Sequence, residues 1–253
     1  MNATYVGLEL KRIFRDPVSL FFTAGLPVFF YLIFGAAMSW GSESVGNGNV
    51  SMLIMASMAA YGAVSAAVGL GGMAAVERMQ GWGRQLGLTP LADRDYIGVK
   101  VSLAVLVTMI PIGLVFLAGF LTGAAGTARA WVLSGLILVA GAAVFALYGL
   151  LFALAFRTEA AVSAASGSVV ILGFLGNVFF PLSGTLLTIA KFTPLYGLNA
   201  LARYPISRGY VMEGTEGALT HEPLWVPLAN VSAWLLVLGI LATLLVRRAR
   251  ARQ

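Results

Sequence analysis

Long apolar runs separated by short polar segments are the main pattern along the chain. Six of these runs reach the length of about 20 residues that a helix needs to cross a lipid bilayer. The predicted spans are Val18–Ala37, Val50–Ala75, Val101–Leu121, Trp131–Phe156, Ala160–Phe180 and Leu224–Val246. The pattern therefore predicts an all-α, polytopic membrane protein with six transmembrane helices, formed as a single permease-sized domain over residues 1–253.

The segment before the first span, residues 1–16, predicts an amphipathic helix lying on the membrane surface. Between Tyr5 and Arg15 the apolar side chains fall on one arc of a helix and the charged ones fall off it. Asp16 and Pro17 then supply the N-cap and first-turn proline of the first span. A secretory signal peptide is the alternative; it is disfavoured because the apolar run exceeds the roughly 7 to 15 residues of a signal core.

A charged island interrupts the apolar pattern between the second and third spans. It runs from Glu77 to Lys100, and its charges are too dense for hydrocarbon, where each unpaired charge costs several kcal/mol. Helix-forming residues and the pair Thr89-Pro90, an N-cap followed by a first-turn proline, predict ordered helix rather than a loose connection. We expect residues 76–97 to form a cytoplasmic helical segment; a solvated loop is the alternative interpretation.

The stretch from Pro181 to Tyr204 is neither a span nor an ordinary loop. It is apolar, yet Pro181, Gly184, Lys191 and Pro194 interrupt it. The composition fits a helical hairpin that dips into the membrane with its free backbone groups shielded by protein. Residues 181–223 are therefore predicted to form an extracellular re-entrant hairpin and loop.

Glycines cluster at the end of the second span, from Gly69 to Met73. A phosphate-binding loop would require a following Gly-Lys-Ser/Thr, which the chain lacks, so close helix packing or a local bend is the favoured interpretation. Because no phosphate loop of this type occurs anywhere in the sequence, we expect the chain not to hydrolyse ATP.

The basic residues indicate how the chain is oriented. Of the 16 Lys and Arg residues, all but Arg129, Lys191, Arg203 and Arg208 fall on the side that holds the N-terminus in the six-span arrangement. Cytoplasmic segments carry an excess of basic residues, so both termini are predicted to be cytoplasmic. Basic residues are mostly Arg, which favours a bacterial source and hence a multi-pass protein of the bacterial inner membrane.

Composition narrows the possible functions. With 59% hydrophobic and 10% charged residues, the chain lies outside the range of soluble domains, and its basic residues sit at span ends rather than in a nucleic-acid-binding patch. It has no Cys and a single His, His221, so thiol chemistry and His-rich metal clusters are excluded. No predicted span has an ionisable residue at mid-depth, which disfavours a proton-coupled carrier and favours a hydrophobic or amphiphilic cargo.

Two sets of residues resemble the type-2 ATP-binding-cassette permeases. Glu77-Arg78, Gly83, Leu88-Thr89-Pro90-Leu91 and Lys100 resemble that family's acidic, glycine and L-x-TPL pattern between the second and third spans. Phe180-Pro181-Leu182-Ser183, Ala190–Leu195 and Ala202-Arg203 resemble its stretch after the fifth span. The six-span layout and the N-terminal helix also match, so the resemblance covers essentially the whole chain. Here Gln80, Gly81 and Trp82 depart from the family pattern.

The resemblance implies a half-transporter that forms a homodimer, or a dimer with a related permease, within membrane lipid. It would pair with two copies of a separate ATPase subunit, which would bind the ATP and Mg, so the permease itself needs no cofactor. By the same resemblance, the helix between spans two and three docks in a cleft of the ATPase. The candidate coupling residues are Glu77, Arg78, Trp82, Arg84 and Leu88.

The resemblance also implies that spans two and five line a central path between the two copies. The candidate path residues are Met55, Met58, Tyr61, Phe174, Asn177 and Phe180. For the methionines and aromatic residues, packing or lipid contact is the alternative. For Asn177 the alternative is a hydrogen bond between helices, because a buried amide needs a partner.

The leading functional hypothesis is a permease that exports an antibiotic, a drug or a lipid-like product. A permease for a glycan or lipid-linked polymer is an alternative, although polymer exporters of this family tend to carry more aromatic residues along the path. A passive channel or an immunity protein acting without ATP is another. A membrane enzyme is disfavoured, because an intramembrane serine hydrolase needs a His within a span and His221 lies in an outer loop.

Overall fold

The computed structural model describes Gly7, Lys11 and residues 15–77, 93–156, 159–214 and 218–250. Most of the predicted N-terminal surface helix and all of residues 78–92 lie outside the described residues. The helical elements are α1 (Pro17–Ala36), α2 (Val50–Glu77), α3 (Asp93–Thr122), α4 (Ala128–Phe156), α5 (Glu159–Leu175), α6 (Gly184–Ala190), α7 (Pro194–Ser207) and α8 (Trp225–Arg250).

Five of these helices are long and apolar enough to cross a membrane: α1, α2, α3, α4 and α8. The predicted fifth span is shorter than expected. Helix α5 has 17 residues and ends at Leu175, so the prediction that it continues to Phe180 is wrong. It stops because Gly176 is followed by Asn177 in a left-handed conformation, with φ of 57°, which cannot continue an α-helix.

Helix α1 begins as the sequence predicts. The Asp16 side chain accepts a hydrogen bond from the Ser19 amide, and Pro17 occupies the first turn. Further along, α1 contains two π-helical segments, Phe21–Gly25 and Leu32–Ala36, on either side of an α-helical segment that contains Pro27. Because proline has no backbone N–H, it removes one α-helical hydrogen bond from this region, and the neighbouring bonds adopt the wider spacing.

Helix α2 is the centre of the bundle. In its candidate span 78% of the residues are buried, against 11% in α8 at the periphery. It packs against α1, α3, α4, α5 and α7. Small residues allow this close packing: Gly71 lies against the Ala146 backbone of α4, and Gly149 of α4 lies against the Val68 backbone. The glycine run predicted for close helix packing therefore makes such contacts.

The connections at one end of the bundle are bonded to one another, and we call this the loop end. The Asn47 amide donates to the Ile206 carbonyl over 2.7 Å, and the Thr127 amide donates to the Asn47 carbonyl over 2.9 Å. The Arg208 Nε donates to the Asn47 Oδ1 over 2.7 Å. Asn47, Thr127 and the pair Ile206 and Arg208 belong to the connections after the first, third and fifth predicted spans. These three connections were predicted to share one side of the membrane, and they contact one another in the fold.

Two short antiparallel hairpins lie at the loop end, and the all-α prediction missed both. Strands β1 (Ser44–Val45) and β2 (Gly48–Asn49) form the first, and β3 (Tyr210–Glu213) and β4 (Ala218–His221) form the second. The stretch after Pro181, for which the sequence predicts a membrane-dipping helical hairpin, contains two helices, α6 and α7, separated by a short turn. The Thr193 Oγ1 accepts a bond from the Tyr196 amide, and Pro194 begins α7.

Candidate functional site

Of the predicted coupling residues, the structure describes Glu77, which lies at the end of the bundle opposite the loop end. Glu77 is the last residue of α2, whereas Arg78, Trp82, Arg84 and Leu88 lie outside the described residues. The helix that leads into this segment is firmly packed. Val76 is buried against Ala153 of α4, and Gly72 lies against Val162 of α5. The base of the predicted coupling segment is therefore held by two other helices.

Three of the predicted path residues join an aromatic cluster that also includes residues of α1. Phe179 is at its centre: its ring centroid lies 5.0 Å from those of Tyr61 and Phe174 and 5.6 Å from that of Phe30. Phe180 extends the cluster to Phe34, at 5.8 Å. The aromatic cluster consists of Phe30, Phe34, Tyr61, Phe174, Phe179 and Phe180.

The aromatic cluster forms part of an outer face of the chain. Phe174 and Phe180 are each about half exposed, whereas Tyr61 is buried behind them. The helices that contribute to it carry no Asp, Glu, Lys or Arg within 17–36, 50–76 and 160–175. Such a face offers rings and apolar surface but no charge, and it suits contact with a hydrophobic or ring-containing molecule, a lipid or another apolar helix.

Met55 and Met58 do not share this exposure. Both are fully buried in the core of the chain, and Met55 packs against Gly119 of α3. Among the predicted path residues, Phe174 and Phe180 are therefore exposed, whereas Met55 and Met58 are buried. For the two methionines this placement favours the packing role that the sequence left open.

Asn177 organises the backbone that follows α5. Its Oδ1 accepts a hydrogen bond from the Leu182 amide over 2.8 Å, and its own carbonyl accepts one from the Asn199 Nδ2 of α7 over 2.8 Å. The side chain is 4% exposed. The side-chain bond is therefore local to the segment after α5, whereas the bond to α7 is made by the Asn177 backbone carbonyl.

A buried polar cluster at the loop end was not predicted from the sequence. The Tyr196 hydroxyl donates to both carboxylate oxygens of Glu222, at 3.0 and 2.9 Å, and the Lys191 Nζ lies 3.2 Å from the Glu222 Oε1. Burial, together with the Glu222 charge, raises the pKa of Tyr196, so its hydroxyl stays protonated and keeps donating. Burial also lowers the pKa of the Arg203 guanidinium nearby.

A small cavity borders this polar cluster, with a volume of about 20 Å³. That volume suits about one water molecule. Asn177, Asn199, Arg203 and Glu222 are among its lining residues. The Asn199 Oδ1 is buried and has no hydrogen-bond partner among the described residues, so a water here would have an acceptor to bond. The cavity is too small for an organic cargo.

The sequence contained signals for some of the residues that were missed. Phe30 and Phe34 are spaced four apart and so lie on one face of α1, and Phe179 adjoins the predicted Phe180. Glu222 lies in the mostly apolar stretch His221–Pro227, where a lone carboxylate suggests a buried partner. Among the described residues no group of three or more His, Cys, Asp or Glu side chains is placed to hold a metal ion.

Comparison with known proteins gives one likeness along nearly the whole chain. The chain is 23% identical over 248 residues to a Bacillus subtilis protein named "Putative transport permease YvfS", and the alignment covers 96% of each chain. No protein-family model matches the chain. The two proteins therefore have nearly the same extent, so the likeness is not limited to one apolar segment.

Proposed function

We propose that this chain is the membrane-spanning subunit of an ATP-driven exporter. It forms a dimer, as a homodimer or with a related permease, and pairs with two copies of a separate ATPase subunit. Its cargo is a hydrophobic or amphiphilic compound such as an antibiotic, a drug or a lipid-like product. The likeness over 96% of both chains to a protein named as a transport permease supports a transport role.

The exposed aromatic cluster is the observation that carries this proposal. Phe174 and Phe180 present rings on a face without charged side chains, and Phe30, Phe34 and Phe179 support them from behind or beside. Binding of a cargo to such a face is favoured by roughly 25 cal/mol for each Å² of apolar surface that is removed from water. An ion or a small polar solute would gain nothing comparable. The geometry therefore favours a lipophilic cargo.

The ATPase contact belongs at the opposite end, where Glu77 ends α2. We assign the coupling role to Glu77, Arg78, Trp82, Arg84 and Leu88, following the motif resemblance. The packing of Val76 and Gly72 supports this assignment, because a segment that receives force must be rooted in helices that transmit it. Helix α2 also carries Tyr61 of the aromatic cluster, so one rigid element links the two regions.

The test is ATPase activity in the complex of this chain with its ATPase subunit, reconstituted in liposomes and measured across a panel of lipophilic compounds. We expect stimulation by some members of the panel and a changed concentration dependence in Phe180→Ala. The matched control is Phe120→Ala, since Phe120 of α3 is 73% exposed but lies outside the aromatic cluster. No complex with an ATPase, or equal effects of the two variants, would contradict the proposal.

A polymer exporter is the second candidate, because six aromatic side chains come together in the fold. Phe174 and Phe180 are stacked with an interplanar angle of 20°, which leaves flat ring surface exposed. Flat aromatic faces stack on sugar rings as well as on lipophilic groups. Stimulation of the ATPase by a lipid-linked glycan, without stimulation by the lipophilic panel, would favour this candidate.

A further inference from the structure

Two prolines and a glycine from three different helices meet inside the bundle, and we call these three residues the pivot. A Cβ added at Gly62 of α2 would lie 2.9 Å from the Pro111 Cβ of α3 and 3.0 Å from the Pro27 Cγ of α1. All three residues are buried. Glycine at position 62 therefore allows both proline rings to approach the backbone of α2 closely.

The pivot lies near the middle of the bilayer. Pro27, Gly62 and Pro111 are nine, twelve and eleven residues away from the ends of α1, α2 and α3 at the loop end. These spacings correspond to about 14 to 18 Å, because an α-helix rises about 1.5 Å per residue. Half of the hydrocarbon layer is about 15 Å thick. The three helices therefore make this contact at about mid-depth.

Each proline of the pivot removes an α-helical hydrogen bond at this depth. Because proline has no backbone N–H, Pro27 cannot donate to the Thr23 carbonyl, and Pro111 cannot donate to the Val107 carbonyl. In α1, the π-helical segment Phe21–Gly25 ends two residues before Pro27. Helices bend at prolines and at π-helical segments, where the regular hydrogen bonds are interrupted. Helix α1 therefore has its bending point where it contacts α2.

On the loop-end side of the pivot, side-chain hydrogen bonds hold the three helices together. The Tyr31 hydroxyl lies 2.8 Å from the Ser51 Oγ of α2 and 2.8 Å from the Thr122 Oγ1 of α3. The Asn49 Nδ2, just before α2, donates to the Gly123 carbonyl, just after α3, over 2.9 Å. The half of α1 on this side is therefore fixed to α2 and α3.

On the other side of the pivot, hydroxyl groups of the same helices bond within their own helix. Each of three hydroxyls donates to a backbone carbonyl three or four residues earlier: that of Thr23 over 2.7 Å, that of Ser65 over 2.8 Å and that of Thr108 over 2.7 Å. Such a bond satisfies the hydroxyl without joining two helices. These hydroxyls therefore do not hold α1 to α2 or α3.

The first half of α1, residues 17–26, is also less buried than the second half. Val18, Phe21 and Phe22 are each more than half exposed, whereas Tyr31 in the second half is fully buried. The contacts of the first half with α2 and α3 are apolar packing, and apolar attraction has no preferred direction. The first half can therefore change its angle without breaking a hydrogen bond to another helix.

We propose that the first half of α1 tilts about the pivot while the second half stays fixed. A tilt of about 20° at Pro27, the size of an ordinary proline kink, moves Val18 by about 5 Å, because about 14 Å of helix lies between them. Phe30 lies on the fixed side, so the aromatic cluster keeps its α1 members. The tilt thus moves the part of α1 that adjoins this cluster on the side of Glu77. The inference rests on contacts within the chain and not on the proposed transport function.

Pairs of spin labels measure the tilt, because the chain has no native Cys. The full chain is reconstituted in nanodiscs with an excess of unlabelled chain, so that each distance is measured within one copy by double electron–electron resonance. The tilt pair is Val18→Cys with Phe156→Cys, which joins the first half of α1 to the end of α4. The loop pair is Ile33→Cys with Val132→Cys. All four positions are exposed.

We expect the distance distribution of the tilt pair to be about 5 Å wider than that of the loop pair. Pro27→Ala restores the missing N–H, so it should narrow the distribution of the tilt pair to the width of the loop pair. Pro227→Ala, at a proline of α8, is the control and should leave the tilt pair unchanged. Equal widths of the two pairs in the original chain would overturn the proposal, and so would an unchanged width in Pro27→Ala.

Gly62→Ala tests the contact at the pivot. The added Cβ would lie too close to both proline rings, so we expect the most probable distance of the tilt pair to shift by a few Å while the loop pair is unchanged. Gly69→Ala is the control in the same helix, because its Cβ would meet no atom within 4 Å. No shift in Gly62→Ala, or an equal shift in Gly69→Ala, would contradict the assignment of the pivot to Gly62.

Discussion

Asn177 has a left-handed backbone conformation and a side-chain hydrogen bond, and two substitutions can separate their contributions to stability. Its φ of 57° is a conformation that glycine adopts freely and other residues rarely adopt, and its Oδ1 accepts the Leu182 amide bond. Asn177→Gly keeps the conformation and loses the bond, whereas Asn177→Ala loses the bond and strains the backbone. We expect losses of about 1 kcal/mol for Gly and about 2 to 3 kcal/mol for Ala, measured by thermal unfolding in detergent.

The same two variants separate a structural role from a cargo-binding role at Asn177. If the side chain only organises the backbone, the concentration of cargo that half-stimulates the ATPase should be unchanged in Asn177→Gly. A large change in that concentration, with little loss of stability, would instead assign Asn177 to cargo binding. The alanine variant serves as the reference for damage to the fold.

Tyr31 is a second residue whose importance depends on its partners. Its hydroxyl lies 2.8 Å from the Ser51 Oγ of α2 and 2.8 Å from the Thr122 Oγ1 of α3, and the residue is fully buried. Tyr31→Phe removes the group that joins three helices. We expect a loss of about 1 to 3 kcal/mol, since Ser51 is left with an unpaired buried hydroxyl.

Tyr148→Phe is the control for Tyr31→Phe. The hydrogen-bond partner of the Tyr148 hydroxyl is the Ser168 Oγ, at 2.8 Å, in a partly buried position. Its loss should be less costly when both variants are compared by thermal unfolding under the same conditions. Equal losses would mean that the Tyr31 bonds contribute no more than an ordinary partly exposed pair.

At the scale of elements, the glycines of α2 define how closely two central helices approach. A Cβ at position 71 would overlap the Ala146 carbonyl of α4, so Gly71→Ala must push the two backbones apart. Gly69, two residues earlier, has no neighbouring atom within 4 Å of the position where a Cβ would be added. We expect Gly71→Ala to lower the free energy of unfolding by about 1 to 3 kcal/mol.

Gly69→Ala is the matched control for this packing prediction. It makes the same chemical change in the same helix but meets open space, so it should be neutral or slightly stabilising because alanine favours helix. Thermal unfolding of both variants in one detergent gives the comparison. A destabilisation of equal size in the two variants would show that the α2–α4 contact does not require glycine.

Apolar length and caps are readable from the sequence, which explains why the main helices were predicted well. Helix α2 begins at Val50 as predicted, α4 ends at Phe156 as predicted, and Asp16 caps α1 as predicted. The end of α5 at Leu175 was missed, although Gly176 and Asn177 form a helix-stopping pair. The run of apolar residues to Phe180 obscured that signal, because hydropathy averages over many positions.

At the scale of the whole molecule, the sequence predicts which connections lie at each end of the bundle, but it does not predict which side chains come together. The alternation of the six predicted spans places three connections on one side, and those connections are bonded together in the fold. The aromatic cluster combines residues from α1, α2 and the segment after α5. Such a combination depends on how helices pack, and no spacing along a single segment specifies it.

The whole-molecule prediction concerns coupling between the two ends. Shifting a two-state transport path from 1:99 to 99:1 requires about 5.5 kcal/mol of differential binding, which an ATPase can deliver only through a rigid connection. Helix α2 joins the segment after Glu77 to Tyr61 and is packed on five other helices. We expect Glu77→Gln with Arg84→Gln to abolish ATP-dependent export while the protein remains folded and inserted.

A control with the same charge changes tests whether the effect is specific to the end of the bundle where α2 ends at Glu77. Glu43→Gln with Arg129→Gln makes the same chemical changes at two exposed residues of the loop end, where no ATPase contact is proposed. That variant should export normally, and both variants should unfold at similar temperatures. The measurement is ATP-dependent transport of the cargo into inside-out vesicles for each complex. Normal export by the Glu77/Arg84 variant would rule out the coupling assignment. Loss of export in both variants would instead mean that charge at either end supports transport, because rigid α2 and its neighbours would then transmit disturbances from both directions.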